Sequence, residues 1–152
     1  MREIKFRGKR VDNGEWVYGY YYAVGEHHYI HSVRKLFGES YQSSTYQIDP
    51  KTVGQFTGLC DKDGKNVYEG DIVVKEGYLW FDNVEPNYRG TVEWIYSQWQ
   101  VVAHCVNPNK SGISDGMNEG LNDDGFDDDE NSDWIIIGNI HDNSDLLGKS
   151  HA

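Results

Sequence analysis

Two alternating segments joined by Asn13-Gly14 restrict the fold of this sequence more than any other feature. In the first, "IKFRGKRV", Lys5, Arg7 and Lys9 alternate with apolar or small residues, which is typical of a strand with one face in the core. The second, "WVYGYYYAV", alternates similarly and is mostly aromatic or β-branched. Asn13 and Gly14 tolerate the positive φ angles of a two-residue hairpin turn. An antiparallel hairpin is therefore predicted.

The rest of the chain also favours short strands. Aromatic residues make up 14% of the sequence, and no long stretch has the period of an amphipathic helix. Strands are predicted for "HHYIHSV", "TYQIDP", "YEGDIV" and "DWIIIGNI", and "GTVEWIYSQWQVVAH" is predicted to be a hairpin with its tip at Ser97-Gln98. Residues 34–44 show no period and are predicted to be a loop, and "SDLLGK" one short helical turn. The predicted fold class is mainly β.

The stretch "TGLCDKDGKNVYEGDIV" combines turn residues with acidic residues. Asp61 enters "DKDGK", where its carboxylate is expected to bond to the backbone of the turn, and Gly64 suits a positive φ. The alternative, a calcium loop, needs oxygen ligands at the first, third and fifth positions and glycine at the sixth. Counted from Asp61, these last two positions are Lys65 and Asn66, so the pattern fails. A hairpin turn without a metal site is predicted.

Glu69 and Asp71 flank Gly70 at the start of the next strand. Residues i and i+2 share a face, which would let the two carboxylates converge for acid–base chemistry or binding. We favour the alternative, in which Gly70 makes a sharp bend and the acids accept backbone N–H bonds. No base is placed beside Cys60 or Cys105, the histidines lack zinc-ligand spacing, and no phosphate-binding motif is present. We predict no catalytic residue, cofactor or metal, and two buried, inert cysteines.

The net charge of −11 comes from one segment. Residues 114–133 hold nine acidic residues and no basic one, and the remainder holds 16 acids against 14 bases. The surrounding loop, residues 107–132, is too polar to bury apolar surface and is predicted to be a disordered insertion. With two cysteines, no membrane-spanning apolar run and no signal-peptide pattern, the chain is predicted to be soluble and cytoplasmic, with no membrane partner.

The basic first strand admits two interpretations. Lys5, Arg7 and Lys9 on one face, with tyrosines and a tryptophan on the partner strand, suit the phosphates and bases of a nucleic acid. The alternative, which we favour, is a solvated edge strand whose charges block aggregation.

Three groups of residues together cover about half of the chain: "MREIKFRG" with "WVYGYY", the central "IDPKTVGQFTGLCDKDGKNVYEGDIV" and the terminal "IIIGNIHDNSDLL". In this order they resemble the YopX family of phage and prophage proteins. The resemblance implies an SH3-type small barrel and a phage or prophage origin, and it implies no reaction. Cys60 and the acidic insertion depart from the family pattern. We predict an N-terminal β-hairpin region over residues 1–50 and an SH3-like β-barrel over residues 51–148.

The predicted function is binding without catalysis. Both faces of "WVYGYYYAV" carry aromatic residues, with Tyr22 on one and Tyr21 on the other, and only one face can cover the protein's own core. Tyrosine and tryptophan are enriched in interfaces. We therefore predict a homo-oligomer, with a host or phage protein as a further partner. The alternative is a nucleic-acid-associated module that uses the basic strand, and an enzyme using Glu69 and Asp71 is the least favoured.

Overall fold

The computed structural model describes residues 1–75, 88–105, 118–121 and 134–148. The chain divides into two compact units, Met1–Gly58 and Leu59–Ala152. In the described ranges the strands form two antiparallel sheets, and the helical elements are two short 3-10 helices, Pro50–Thr52 and Ser144–Leu147. None of these helices has the length and apolar character that crossing a membrane requires. The prediction of a mainly β protein is confirmed.

The first unit is built around one antiparallel sheet. Its strands are β1 Phe6–Lys9, β2 Trp16–Val24, β3 His27–Lys35, β4 Tyr41–Ile48 and β5 Gly54–Cys60. They are hydrogen-bonded in the order β4-β3-β2-β1-β5, and β6, Asn66–Tyr68, follows β5 in that order. Because β1 lies between two neighbours, it is not the edge strand that the sequence favoured.

The boundary between the units lies after Gly58, and not after residue 50 as predicted. Strand β5 pairs with β1 in the register Phe6↔Gln55 and Arg7↔Gly54, so the residues that start β5 fold with the first unit. The sequence signals used to place the boundary are local, whereas this pairing joins residues far apart in the chain.

The first hairpin forms where it is predicted, with a wider turn. Lys9 pairs with Trp16, and the connection spans residues 10–15 where the sequence suggested two residues. Gly14 has a φ of +72°, and the Asn13 carboxamide oxygen accepts a hydrogen bond from the Glu15 N–H at 2.9 Å. Asn13 and Gly14 therefore shape the end of this turn.

The inner face of the sheet forms the core of the first unit. Ile30 and Ile48 are 0% and 1% exposed, and strand alternation and register place them on the same face as Phe6 and Tyr21. Gly8 is needed beneath Ile48, because a Cβ at that position would lie 2.5 Å from the Ile48 Cδ1. Full burial of an isoleucine side chain contributes roughly 2 kcal/mol. This face therefore contributes strongly to the stability of the unit.

One end of β4 also bonds to residues near the end of β1. The N–H groups of Val11 and Asp49 donate to the carbonyl oxygens of Gln47 and Lys9, at 3.1 and 2.8 Å. An isolated antiparallel bridge joins the same region. The sheet therefore curls at this end, while residues 41–46 of β4 remain at its edge.

Residues 34–44, predicted to be a loop, are mostly strand. β3 continues to Lys35 and β4 begins at Tyr41, with an unbroken register from His28↔Ile48 to Lys35↔Tyr41. The loop is confined to residues 36–40. Gln42, Ser43 and Ser44 are consecutive polar residues that form no apolar face, so the pattern hid a strand that is stabilised by pairing with β3.

The second unit carries the other sheet. Its strands are β7 Asp71–Lys75, β8 Tyr88–Ile95, β9 Gln98–Cys105, β10 Asn118–Gly120 and β11 Trp134–Asn139, in the order β10-β9-β8-β7-β11. The buried core cluster consists of Val67, Val73, Val74, Val92, Val101, Ala103, Leu121 and Trp134. The predicted β8–β9 hairpin and the last strand are confirmed. The hairpin tip lies at Tyr96-Ser97, one residue earlier than predicted.

The SH3-type barrel is not shown by this sheet. Among the described strands, β10 and β11 stand at opposite ends of the hydrogen-bonded order and do not pair with each other. The second unit is thus an antiparallel sheet whose closure stays a prediction.

Part of the acidic insertion belongs to the core, which corrects the prediction that residues 107–132 are disordered throughout. Asn118–Gly120 pairs with β9, and the Leu121 N–H donates to the Trp99 carbonyl oxygen at 3.1 Å. Leu121 is 2% exposed. Strand pairing and the buried Leu121 side chain therefore anchor the described part of this segment. The other residues of the insertion lie outside the described ranges.

We expect Leu121→Ala to lower the free energy of unfolding by about 2.5 kcal/mol, because it leaves a cavity in the second core. Urea denaturation followed by tryptophan fluorescence measures the loss. Ile137→Ala, at a 37% exposed position of β11 in the same sheet, is the comparison. An unchanged urea midpoint for Leu121→Ala would show that the segment does not contribute to the core.

Candidate functional site

The outer face of the first sheet carries a row of exposed tyrosines. Alternation along β2 turns Tyr18, Tyr20 and Tyr22 away from the core, and they are 42%, 64% and 43% exposed. The register Tyr22↔Tyr29 adds a tyrosine from β3, and the two ring centroids are 5.2 Å apart. Trp16 continues the row towards β1. We call Trp16, Tyr18, Tyr20, Tyr22 and Tyr29 the outer aromatic face.

The basic residues of β1 lie against Trp16 at one end of this face. The Arg7 guanidinium carbon and the Lys9 Nζ are 4.8 and 5.4 Å from the centroid of the Trp16 ring, within the range of cation–π attraction. Arg7 is 6% exposed, and Lys5 and Lys9 are half-buried. The expectation of a solvated basic strand is therefore corrected. β1 is an inner strand and the indole packs beside it, so Arg7 is withdrawn from solvent.

Arg10 is held by its own turn. Its Nε donates to the Asp12 Oδ1 at 2.9 Å, and its guanidinium carbon is 4.5 Å from the centroid of the Tyr46 ring. The hydrogen bond raises the pKa of Arg10 and lowers the pKa of Asp12. Arg10 therefore adds little free positive charge to the outer aromatic face.

Tyr21 and Tyr22 lie on opposite faces of the sheet. The Tyr21 hydroxyl is 2.6 Å from the His28 Nδ1, and its ring centroid is 5.4 Å from that of Phe6. Of these two predicted interface residues, only Tyr22 lies on the exposed surface. Tyr21 is a packing residue of the first core.

The "DKDGK" turn has the geometry that the sequence predicts. Asp61 is 0% exposed, and its Oδ1 accepts hydrogen bonds from the N–H groups of Asp63 and Lys65 at 2.9 and 2.8 Å. Its Oδ2 accepts a third from the Ile136 N–H of β11 at 3.2 Å. Gly64 has a φ of +82°. The carboxylate thus organises the turn and connects it to the last strand.

Asp71 is also bonded to the backbone. It is 2% exposed, and its Oδ2 accepts a hydrogen bond from the Tyr68 N–H at 2.8 Å. Gly70 has a φ of +84° and donates to the Val92 carbonyl oxygen at 2.9 Å. Glu69 is half-buried in the same turn. The bend favoured from the sequence is present, and the geometry gives Asp71 a structural role.

A second group of exposed aromatic residues lies at the tip of the β8–β9 hairpin. Tyr96 and Ser97 have φ angles of +51° and +64°, which are uncommon for residues other than glycine and asparagine. Tyr96 is 85% exposed and Trp94 is 50% exposed, and the Trp94 ring centroid is 4.8 Å from that of Trp99. The tip is a smaller candidate contact surface of the second unit.

Cys60 is half-buried, so the prediction of a buried thiol is wrong for this residue. Its Sγ is 3.5 Å from the Asn66 Oδ1. The side chain of Cys105 lies outside the description. Within the described ranges, no three His, Cys, Asp or Glu side chains come close enough together to hold a metal ion.

Sequence reasoning missed Tyr29, the contribution of β3 to the outer aromatic face. The sequence does contain a signal for it. The two-residue turn Gly25-Glu26 pairs Val24 with His27, and two residues further from the turn on each strand, Tyr22 lies opposite Tyr29.

Comparison with known proteins gives a family match and a match to a solved structure. The family model described as YopX protein matches residues 5–148. A crystal structure of protein EF1440 from Enterococcus faecalis is 17% identical, with a TM-score of 0.48 over 97% of this chain and 99% of that chain. No curated protein matches the sequence.

Proposed function

The chain belongs to the YopX protein family, and from this premise we propose that it is a non-enzymatic phage or prophage accessory protein of the host cytoplasm. It acts by binding protein surfaces through the outer aromatic face. The observation that carries the proposal is the row Tyr18, Tyr20 and Tyr22, each more than 40% exposed on one strand face. Adjacent exposed aromatic rings mark interaction surfaces, whereas isolated ones are common on any protein.

Tyrosines suit this role for a physical reason. Each offers a large, rigid apolar ring and a hydroxyl that still forms hydrogen bonds, so it gains by burial without a large loss of side-chain entropy. β2 and β3 hold the rings on paired strands, which keeps the surface ordered before a partner arrives. Little further ordering cost then opposes binding.

A second copy of the chain is the first partner that we propose. The five side chains of the outer aromatic face are uncharged. The unit that carries the face is close to neutral, with eight lysines and arginines against six acidic residues. Two such faces meet without strong charge repulsion. Symmetric pairing of one patch with its own copy is the commonest mode of association. A host or phage protein is the further partner on the same face.

We expect the purified chain to form an oligomer at micromolar concentration, and Tyr20→Glu to weaken its association at least about tenfold, because the charge would be buried at the centre of the face. Light scattering measures the mass against 17.5 kDa for one chain. Phe37→Glu, at a 90% exposed aromatic residue in the loop between β3 and β4, is the matched control. A wild-type mass of one chain at every concentration removes self-association. Capture of a protein from induced host cells that Tyr20→Glu alone abolishes would then assign the face to that partner.

For the fold, we propose that the sheet of the second unit closes into an SH3-type barrel. The antiparallel order β10-β9-β8-β7-β11 supports it, since a small barrel arises when such a sheet joins its end strands. Amide hydrogen exchange on β10 and β11 tests it, because closure protects the outward N–H groups of both strands.

The alternative is a nucleic-acid-associated module, and the tyrosine row favours it because bases stack on exposed rings of a sheet. Phosphate binding, however, needs free cations, and Arg7 is buried against Trp16. Fluorescence anisotropy with a labelled single-stranded oligonucleotide decides between the two. Binding that weakens steeply with salt and is reduced by Lys5→Ala and Lys9→Ala would support the alternative.

A further inference from the structure

Residues 41–46 of β4 form an open strand edge. β4 pairs with β3 without a bulge, and it is the end strand in the hydrogen-bonded order. The stretch "YQSSTY" contains no proline, glycine or charged residue, which are the usual protections of an exposed edge. In the described part of the chain, no backbone group bonds to its outer side.

The contacts at the end of β4 show which backbone groups point outward. The Gln47 carbonyl oxygen points away from β3, since it accepts a hydrogen bond from the Val11 N–H. Backbone groups of alternate residues point to the same side of a strand. The N–H and C=O groups of Ser43 and Thr45 therefore also face outward, whereas those of Ser44 face β3. A ladder of hydrogen bonds is available to an extended segment placed alongside.

A polar cavity of about 280 Å³ lies on the inner face beside this edge. It is lined by Ser32, Arg34, Gln42, Ser44 and Tyr46. Arg34 alone among these is charged, and it donates to the neutral Gln42 Oε1 at 3.1 Å, with no carboxylate partner in the described residues. A strand added to β4 would place alternate side chains beside Gln42 and Ser44, within reach of this guanidinium.

We propose that β4 binds an extended peptide segment of a partner protein by strand addition, and that the segment carries a glutamate that pairs with Arg34. Backbone bonds to Ser43 and Thr45 supply affinity that is independent of sequence. The charge-assisted pair in the cavity supplies selectivity. This site uses the edge and the inner face of the sheet, so it is separate from the outer aromatic face.

Three labelled seven-residue peptides test the site by fluorescence polarisation with the full chain. They alternate threonine and valine and differ only in a central glutamate, glutamine or lysine. We expect the glutamate peptide to bind about tenfold more tightly than the glutamine peptide and the lysine peptide to bind most weakly. Arg34→Gln should remove this difference. Ser43→Pro, which deletes an outward N–H, should weaken binding of all three peptides, whereas Ser43→Ala should not.

Circular dichroism verifies that each variant is folded. No binding of the glutamate peptide to the wild-type chain, or equal binding of the glutamate and lysine peptides, overturns the proposal. So does equal binding by Ser43→Pro and Ser43→Ala. A fall in oligomer mass caused by Ser43→Pro but not by Ser43→Ala would assign the edge to a second copy, and this too overturns it.

Discussion

Asp61→Ala is expected to lower the free energy of unfolding by about 4 kcal/mol, because it removes the acceptor of three backbone hydrogen bonds at a site without solvent. The carboxylate is 0% exposed and bonds to the N–H groups of Asp63, Lys65 and Ile136. Each unpaired buried N–H costs on the order of 1 to 3 kcal/mol, and the loss of one desolvated charge offsets part of the sum. Urea denaturation followed by tryptophan fluorescence measures the effect.

Asp63→Ala is the matched control, since Asp63 is exposed in the same turn. It should change stability by less than about 0.5 kcal/mol. The loss of stability in Asp61→Asn should fall between those of the two alanine variants. The amide keeps one acceptor oxygen, but its NH₂ group turns a donor towards a backbone N–H group. If Asp61→Ala and Asp63→Ala unfolded at the same urea concentration, the Asp61 carboxylate would not be what holds the turn and β11 together.

Turns and strand faces could be predicted from the sequence, because a few neighbouring residues determine them. Asp61 and Gly64 define a turn by hydrogen bonding and a positive φ, and both occur as expected. The alternation of "WVYGYYYAV" correctly separated Tyr21 from Tyr22, because a strand has a strict period of two. Such features depend on a few neighbouring residues and on no distant contact.

Long-range pairing could not be predicted in the same way. The burial of Arg7 depends on β5 lying beside β1, and no local pattern encodes that neighbour. The strand character of residues 41–44 depends on β3, since the residues themselves are polar. Leu121 lies inside an acidic segment, and its place beside β9 makes it part of a core.

The candidate site likewise combines features that local sequence predicts with features that depend on long-range pairing. Tyr18, Tyr20 and Tyr22 follow from alternation, but which face is exposed depends on the inner positions of Ile30 and Ile48. The open edge of β4 depends on strand order, which the sequence does not reveal. Sequence reasoning therefore supplied the β2 residues of the outer aromatic face. The fold added Tyr29 from β3, the orientation of the face and the second site.

Gly19→Ala is expected to destabilise the first unit by about 4 kcal/mol, because a side chain at this position meets backbone that cannot rotate away. A Cβ on Gly19 would lie 2.2 Å from the His31 carbonyl oxygen and 3.0 Å from the Ser32 Cα. Such overlap forces β2 and β3 apart, and overpacking of this kind costs from about 1 to more than 3 kcal/mol, with a further cost from the φ of +156°.

The consequence of Gly19→Ala extends to function, since β2 and β3 together present the outer aromatic face. Separation of the strands should break the Tyr22–Tyr29 contact and weaken self-association as well as stability. Gly25→Ala is the matched control in the same hairpin: its φ is +60° but nothing lies within 4 Å of the added Cβ, so only about 1 kcal/mol is expected. Thermal denaturation and light scattering measure both effects. Equal losses in the two variants would mean that the close approach of Gly19 to β3 does not constrain the sheet.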